Sequence, residues 1–130
     1  MVIVDTSVWI DFFAGKHTKN TDHLRKIIED SEDICICGLI MTEILQGFRS
    51  EKEFEKVKII LSGLLYLPIT KDLFISAASV FRKIRKNGET IRSPIDCIIA
   101  AICIEHEVNI LHNDKDYDVI AKYTSLKIAT

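Results

Sequence analysis

Apolar and polar positions fall into blocks along this chain, and the spacing inside each block names an element. Val2-Ile3-Val4 is a run of β-branched residues broken by Asp5 and Thr6, the pattern of a strand buried on both faces. Ser7 to Ala14 is rich in aromatics and predicts a short helix or turn closing at Gly15; Thr21 to Asp30 carries Leu24, Ile27 and Ile28 at helical spacing. Asp33 to Cys37 predicts a second strand, and Gly38 lets the chain turn into a largely apolar helix from Leu39 to Phe48. An amphipathic helix over Glu51 to Leu61, a short strand over Leu64 to Leu67 and a long helix over Asp72 to Arg85 follow, the last stopped by Asn87-Gly88.

Ser93-Pro94 opens the next helix, a hydroxyl N-cap followed by proline at the first helical position, and it runs to about His106. Val108 to Leu111 predicts a further strand, Tyr117 to Lys122 a last helix, and Leu126 to Ala129 a short edge strand. Strands alternating with helices, each strand apolar throughout, predict an α/β protein with a central, mainly parallel sheet of four to five strands flanked by helices in a three-layer α/β/α arrangement. No repeat or linker interrupts residues 1–130, so a single domain is expected.

Composition narrows this only a little. With 17 basic and 19 acidic side chains and a net charge of −2, total charge neither marks nor excludes a polyanion-binding protein. The N-terminus lacks a secretory pattern, and the apolar stretch Ile95 to Ile104 contains Asp96 and is too short for a bilayer, so a cytoplasmic protein is expected. Cys35, Cys37, Cys97 and Cys103 all lie in apolar runs without a C-x-x-C pair, which favours buried free thiols over a disulfide or zinc framework.

The chemistry is in the acids. Asp5 follows the first strand, Glu43 lies about a turn and a half into the helix after the second, Asp96 is in the first turn of the Ser93 helix, and Asp114 and Asp116 follow the Val108 strand. In a parallel sheet these places share one rim, the carboxyl end of the strands, where ligands bind. Each acid also has a plain structural explanation: Asp5 as an N-cap, Asp96 in a capping box with Ser93, Asp114 and Asp116 as turn and cap residues. Glu43 is harder to explain so, because a carboxylate among Leu39, Ile40, Met41, Ile44 and Leu45 is costly to bury alone. Two unit charges about 4 Å apart at an effective dielectric near 20 repel by roughly 4 kcal/mol, so converging carboxylates either protonate or hold a cation. Oxygen-only ligands favour a hard ion, Mg²⁺ or Mn²⁺, and such an ion suits phosphodiester hydrolysis.

Four blocks in order, Val2-Ile3-Val4-Asp5-Thr6-Ser7, Thr42-Glu43-Ile44-Leu45-Gln46-Gly47, Ser93-Pro94-Ile95-Asp96 with Ile99-Ala100-Ala101, and Leu111-His112-Asn113-Asp114-Lys115-Asp116-Tyr117, resemble those of the PIN domain, and more narrowly the VapC toxins of toxin–antitoxin pairs. The resemblance covers nearly the whole chain. It implies a PIN-like fold, a Mg²⁺- or Mn²⁺-dependent endoribonuclease, a homodimer and inhibition by a VapB-type antitoxin. On the family's pattern Asp5, Glu43, Asp96, Asp114 and Asp116 are the catalytic acids, with Asp5, Asp96, Asp114 and Asp116 as metal ligands. Thr6 or Ser7 matches the hydroxyl supporting the first Asp, and Asn113 a supporting neighbour of the fourth. His112 departs from the pattern, standing where relatives often carry Thr or Ser.

The densest basic segment, Arg82 to Arg92, directly precedes the Asp96 helix. Arg92, Arg85 and Arg49 are the expected RNA-phosphate contacts. Trp9, Phe12 and Phe13 are expected to pack in the core or at an interface rather than to stack on bases. Two other functions fit parts of the pattern: a phosphohydrolase forming an aspartyl-phosphate on Asp5, which usually needs an acid where Ser7 stands, and an RNA-binding module that does not cut.

Overall fold

Val2–Val4 and Ile34–Ile36 are buried at every position, as in strands that face helices on both sides. In the computed structural model, which describes residues 1–130, they are β1 and β2 of a four-stranded parallel sheet completed by β3 (Leu65–Tyr66) and β4 (Asn109–Leu111). The spatial order β3-β2-β1-β4 places β1 inside, with Ile3 facing Cys35 on one side and Ile110 on the other. The chain therefore steps outward from β1 through β2 to β3, then crosses back to β4. Strand order reverses between β1 and β4, the point at which open α/β sheets bind ligands beyond their strand ends. Asp5 and the segment His112 to Asp114 leave the sheet there. The expected edge strand at 126–129 is a single parallel bridge, Ile110 to Ile128, flanked by bonds from Ile110 N to Lys127 O (3.0 Å) and Ala129 N to Ile110 O (2.8 Å).

Seven helices surround the sheet: α1 (Thr6–Phe13), α2 (Lys19–Glu29), α3 (Gly38–Leu45), α4 (Glu51–Ser62), α5 (Lys71–Lys86), α6 (Pro94–His106) and α7 (Lys115–Tyr123). α1 packs with α2 and α3, while α5, α6 and α7 pack together. Caps explain most differences from the predicted boundaries. α2 starts earlier because Thr18 and Thr21 form a reciprocal capping box, α5 because Thr70 accepts from Leu73 N, and α7 because Asp114 accepts from Asp116 N. α3 is shorter than expected, ending at Leu45 rather than Phe48. Gly88, just past the α5 cap, has φ +82°, a left-handed turn that suits glycine.

The core runs through Ile3, Ile36, Ile40, Ile99, Ile102 and Ile110, all essentially inaccessible. All four cysteines are free and buried. Trp9 is buried and stacks on Phe13, rings 5.5 Å apart and 16° from parallel, with Phe12 edge-on at 5.8 Å. These aromatics are a packing cluster, and Trp9 is closed to any base. No helix is long and apolar enough to cross a membrane.

Candidate active site

Asp5 occupies the N-cap position of α1, yet its side chain makes no capping bond. Its backbone is fixed by the bond from Asp5 N to Leu111 O (2.9 Å), which ties the end of β1 to β4. Asp5 is 8% exposed, and its carboxylate instead accepts from Tyr117 Oη at Oδ1 (3.1 Å) and, at 3.5 Å, from Ser7 Oγ at Oδ2. Burial pushes its pKa up; the Thr6 amide and the Tyr117 hydroxyl oppose this, while Glu43 and Asp114 add to it.

Glu43, half-buried on α3, accepts from Thr6 Oγ1 at 2.8 Å. The two hydroxyls after β1 therefore serve different acids, Ser7 facing Asp5 and Thr6 facing Glu43. That bond and partial exposure remove the desolvation difficulty expected of Glu43.

Asp96 stands in the first turn of α6, but Ser93 Oγ accepts from Ile95 N (3.2 Å) and no reciprocal bond forms, so Asp96 is not tied up in a capping box. Its pKa is raised to about 6, first by burial and then by Asp114 and Asp5, with Tyr117 acting to lower it. Asp114 does serve as the N-cap of α7: its Oδ1 accepts from Asp116 N (3.0 Å) and from Arg92 Nη2 (2.9 Å). Asp116, 8% exposed, receives Arg92 N (3.2 Å) and Nε (3.4 Å) on Oδ2. Capping and convergence coexist here. One carboxylate oxygen from each of Asp96, Asp114 and Asp116 lies within 4.8 Å of the other two.

The structure places the remaining expected residues less uniformly. Arg92 pairs with two of the acids although its side chain is 76% exposed. Arg85 and Arg49 are exposed and make no ion pair with the acids; the Arg85 guanidinium lies over the Phe81 ring at 5.7 Å. Asn113 is exposed, and the bonds into this corner come from His112 and Arg92. His112 makes its own contacts at this corner. Its Nδ1 accepts from Asp114 N at 3.0 Å, which leaves the proton on Nε2, 3.2 Å from Asp118 Oδ1.

Tyr117 is the site residue that sequence reasoning misses. It is fully buried, its ring centroid is 5.1 Å from that of His112, and burial together with Asp5 and Asp96 raises its pKa far above the ordinary tyrosine value. The signal available was a tyrosine on the buried stripe of a helix, whose hydroxyl must find a partner.

Acids from separate segments thus gather at the switch point of a parallel sheet, forming a carboxylate cluster on an α/β domain. The PIN domain family model matches residues 2–123, and the chain belongs to that family. Among its relatives it is 35% identical over 132 residues to Ribonuclease VapC11 of Mycobacterium tuberculosis, covering 100% of this chain and 98% of the relative. The fold is shared with VapBC2 from Rickettsia felis, solved bound to a promoter DNA fragment (TM-score 0.75, 16% identity, 99% of this chain and 98% of that one). It is also shared with FitAcB from Neisseria gonorrhoeae (TM-score 0.74, 14% identity, 100% and 97%).

Proposed function

We propose that residues 1–130 act as one catalytic domain, a Mg²⁺- or Mn²⁺-dependent endoribonuclease that is the toxin of a toxin–antitoxin pair. The observation that carries this reading is the convergence of Asp96, Asp114 and Asp116 oxygens within 4.8 Å beside a buried Asp5. The donor set fits a hard divalent ion: every candidate ligand is a carboxylate oxygen, and the Asp5 and Asp96 pKa values are pushed up partly by the other acids, repulsion that a cation would relieve. Asp5, Asp96, Asp114 and Asp116 would hold it. When bound, such an ion supplies a Lewis acid that neutralises phosphate charge and makes water a stronger nucleophile.

The chain's own groups do the rest. Glu43 Oε1 is anchored by Thr6, which leaves Oε2 to take a proton from the attacking water. Arg92 uses part of its five-donor fork on the acids and, being exposed, presents the remainder to an RNA phosphate; Arg85 and Arg49 extend the phosphate contacts outward. The VapC ribonuclease relatives support the ribonuclease activity and the VapBC structural neighbour a VapB-type partner; a homodimer in the cytoplasm completes our reading.

The test is cleavage of total RNA by the purified chain, freed of any co-purifying partner. Activity is expected to stop with excess chelator and return with Mn²⁺ or Mg²⁺. RNA bound without fragments would instead indicate a non-cleaving module, and covalent phosphate on Asp5 a phosphohydrolase.

A further inference from the structure

Asp96, Asp114 and Asp116 form a tight group, but Asp5 comes from a different strand and must be aimed at them. Its main chain is already pinned to Leu111, so what remains free is the rotation of its carboxylate. The Tyr117 hydroxyl meets that carboxylate at 3.1 Å in a buried bond that joins side chains 112 positions apart. Tyr117 follows Asp116 directly in the first turns of α7, so whatever fixes the helix fixes both residues. Its ring is wedged against His112, whose Nδ1 in turn holds the Asp114 amide. A phenylalanine would fill the same space, so packing alone does not require the hydroxyl.

We propose that Tyr117 is a positioning residue for the metal site: its hydroxyl fixes the Asp5 carboxylate relative to Asp96, Asp114 and Asp116 so that all four present oxygens to one divalent ion. This rests on the metal-dependent reading above. A hydroxyl–carboxylate bond is directional and charge-assisted; it occupies one of the roughly four lone-pair directions of Asp5, the longer Ser7 contact on Oδ2 takes a second, and the rest are left for the ion.

The experiment is Mn²⁺ calorimetry on wild type, Tyr117→Phe, Asp5→Asn and the double variant, with Asp96→Asn as control and metal-free thermal unfolding alongside. Wild type is expected to bind Mn²⁺, Asp96→Asn to lose binding, and Tyr117→Phe to bind about tenfold more weakly, the effect of one hydrogen bond to a charged group. In the Asp5→Asn background the same change is expected to have little further effect on affinity, because the carboxylate it aims is gone. In the cleavage assay the Mn²⁺ concentration for half-maximal rate is expected to rise while the rate at saturating Mn²⁺ recovers. Wild-type affinity in Tyr117→Phe, with or without a lower melting temperature, would make the hydroxyl merely structural and overturn the proposal. Equal Mn²⁺ binding by wild type and Asp96→Asn, or none by wild type, would overturn the metal reading and this proposal with it.

Discussion

Replacing Asp96 by asparagine is expected to stabilise the metal-free protein at neutral pH, an unusual outcome for a change at a half-buried position. The folded-state pKa of about 6 lies above the ordinary 3.8, so the folded protein disfavours the charged form. The penalty is complete above about pH 6 and fades as pH falls, vanishing only below the ordinary 3.8, where folded and unfolded chains are both protonated. Undiminished, the gap from 3.8 to about 6 amounts to about 3 kcal/mol. Solvent screening at this partly exposed site reduces it to about 1–2 kcal/mol, or roughly 3–6 °C in melting temperature for a chain of this size. The assay is urea and thermal unfolding in chelator at about pH 7.5 and about pH 3, either side of the window from 3.8 to about 6 set by that shift. Asp96→Asn is expected to exceed wild type at the higher pH and to match it at the lower. Adding Mn²⁺ at about a hundred times its dissociation constant reverses the order, since wild type then gains about 2.7 kcal/mol that the variant cannot. A variant less stable than wild type in chelator at the higher pH, by a margin independent of pH, would refute the electrostatic account of the site.

Two further outcomes probe single contacts. Thr6→Val removes the donor to Glu43 and is expected to lower kcat for RNA cleavage about tenfold or more while leaving Mn²⁺ affinity unchanged, checked by steady-state kinetics beside calorimetry. Arg92→Gln is expected to change melting temperature little, because a solvent-exposed guanidinium contributes little to stability through its ion pairs, yet to raise KM for RNA several-fold and flatten its salt dependence.

Local signals reached far in this chain because its strands are short apolar runs and its helices carry explicit caps. Val2–Val4, the Ser93-Pro94 start and the Asn87-Gly88 stop could each be read from neighbouring residues alone. The shared rim of the acids followed from parallel topology, which fixes the end of the sheet but not the rotation of any side chain. That is why Asp114 could be read as cap or ligand, and the structure shows it capping α7 while facing Asp96 and Asp116. Contacts between distant segments were not legible. Nothing near Tyr117 in sequence points to Asp5, and nothing near Arg92 points to Asp114 and Asp116. The His112 imidazole accepting from the Asp114 amide was hidden for another reason: the bond depends on the rotation and tautomer of the ring, which neighbouring residues do not fix.

The central claim, that acids from separate segments converge to hold a hard divalent ion, is tested most directly by anomalous diffraction from crystals soaked in Mn²⁺. A peak is expected about 2.1–2.3 Å from carboxylate oxygens of Asp96, Asp114 or Asp116, with Asp5 in its coordination sphere directly or through water. Manganese bound only elsewhere on the surface, with these carboxylates unliganded at saturating metal, would contradict it.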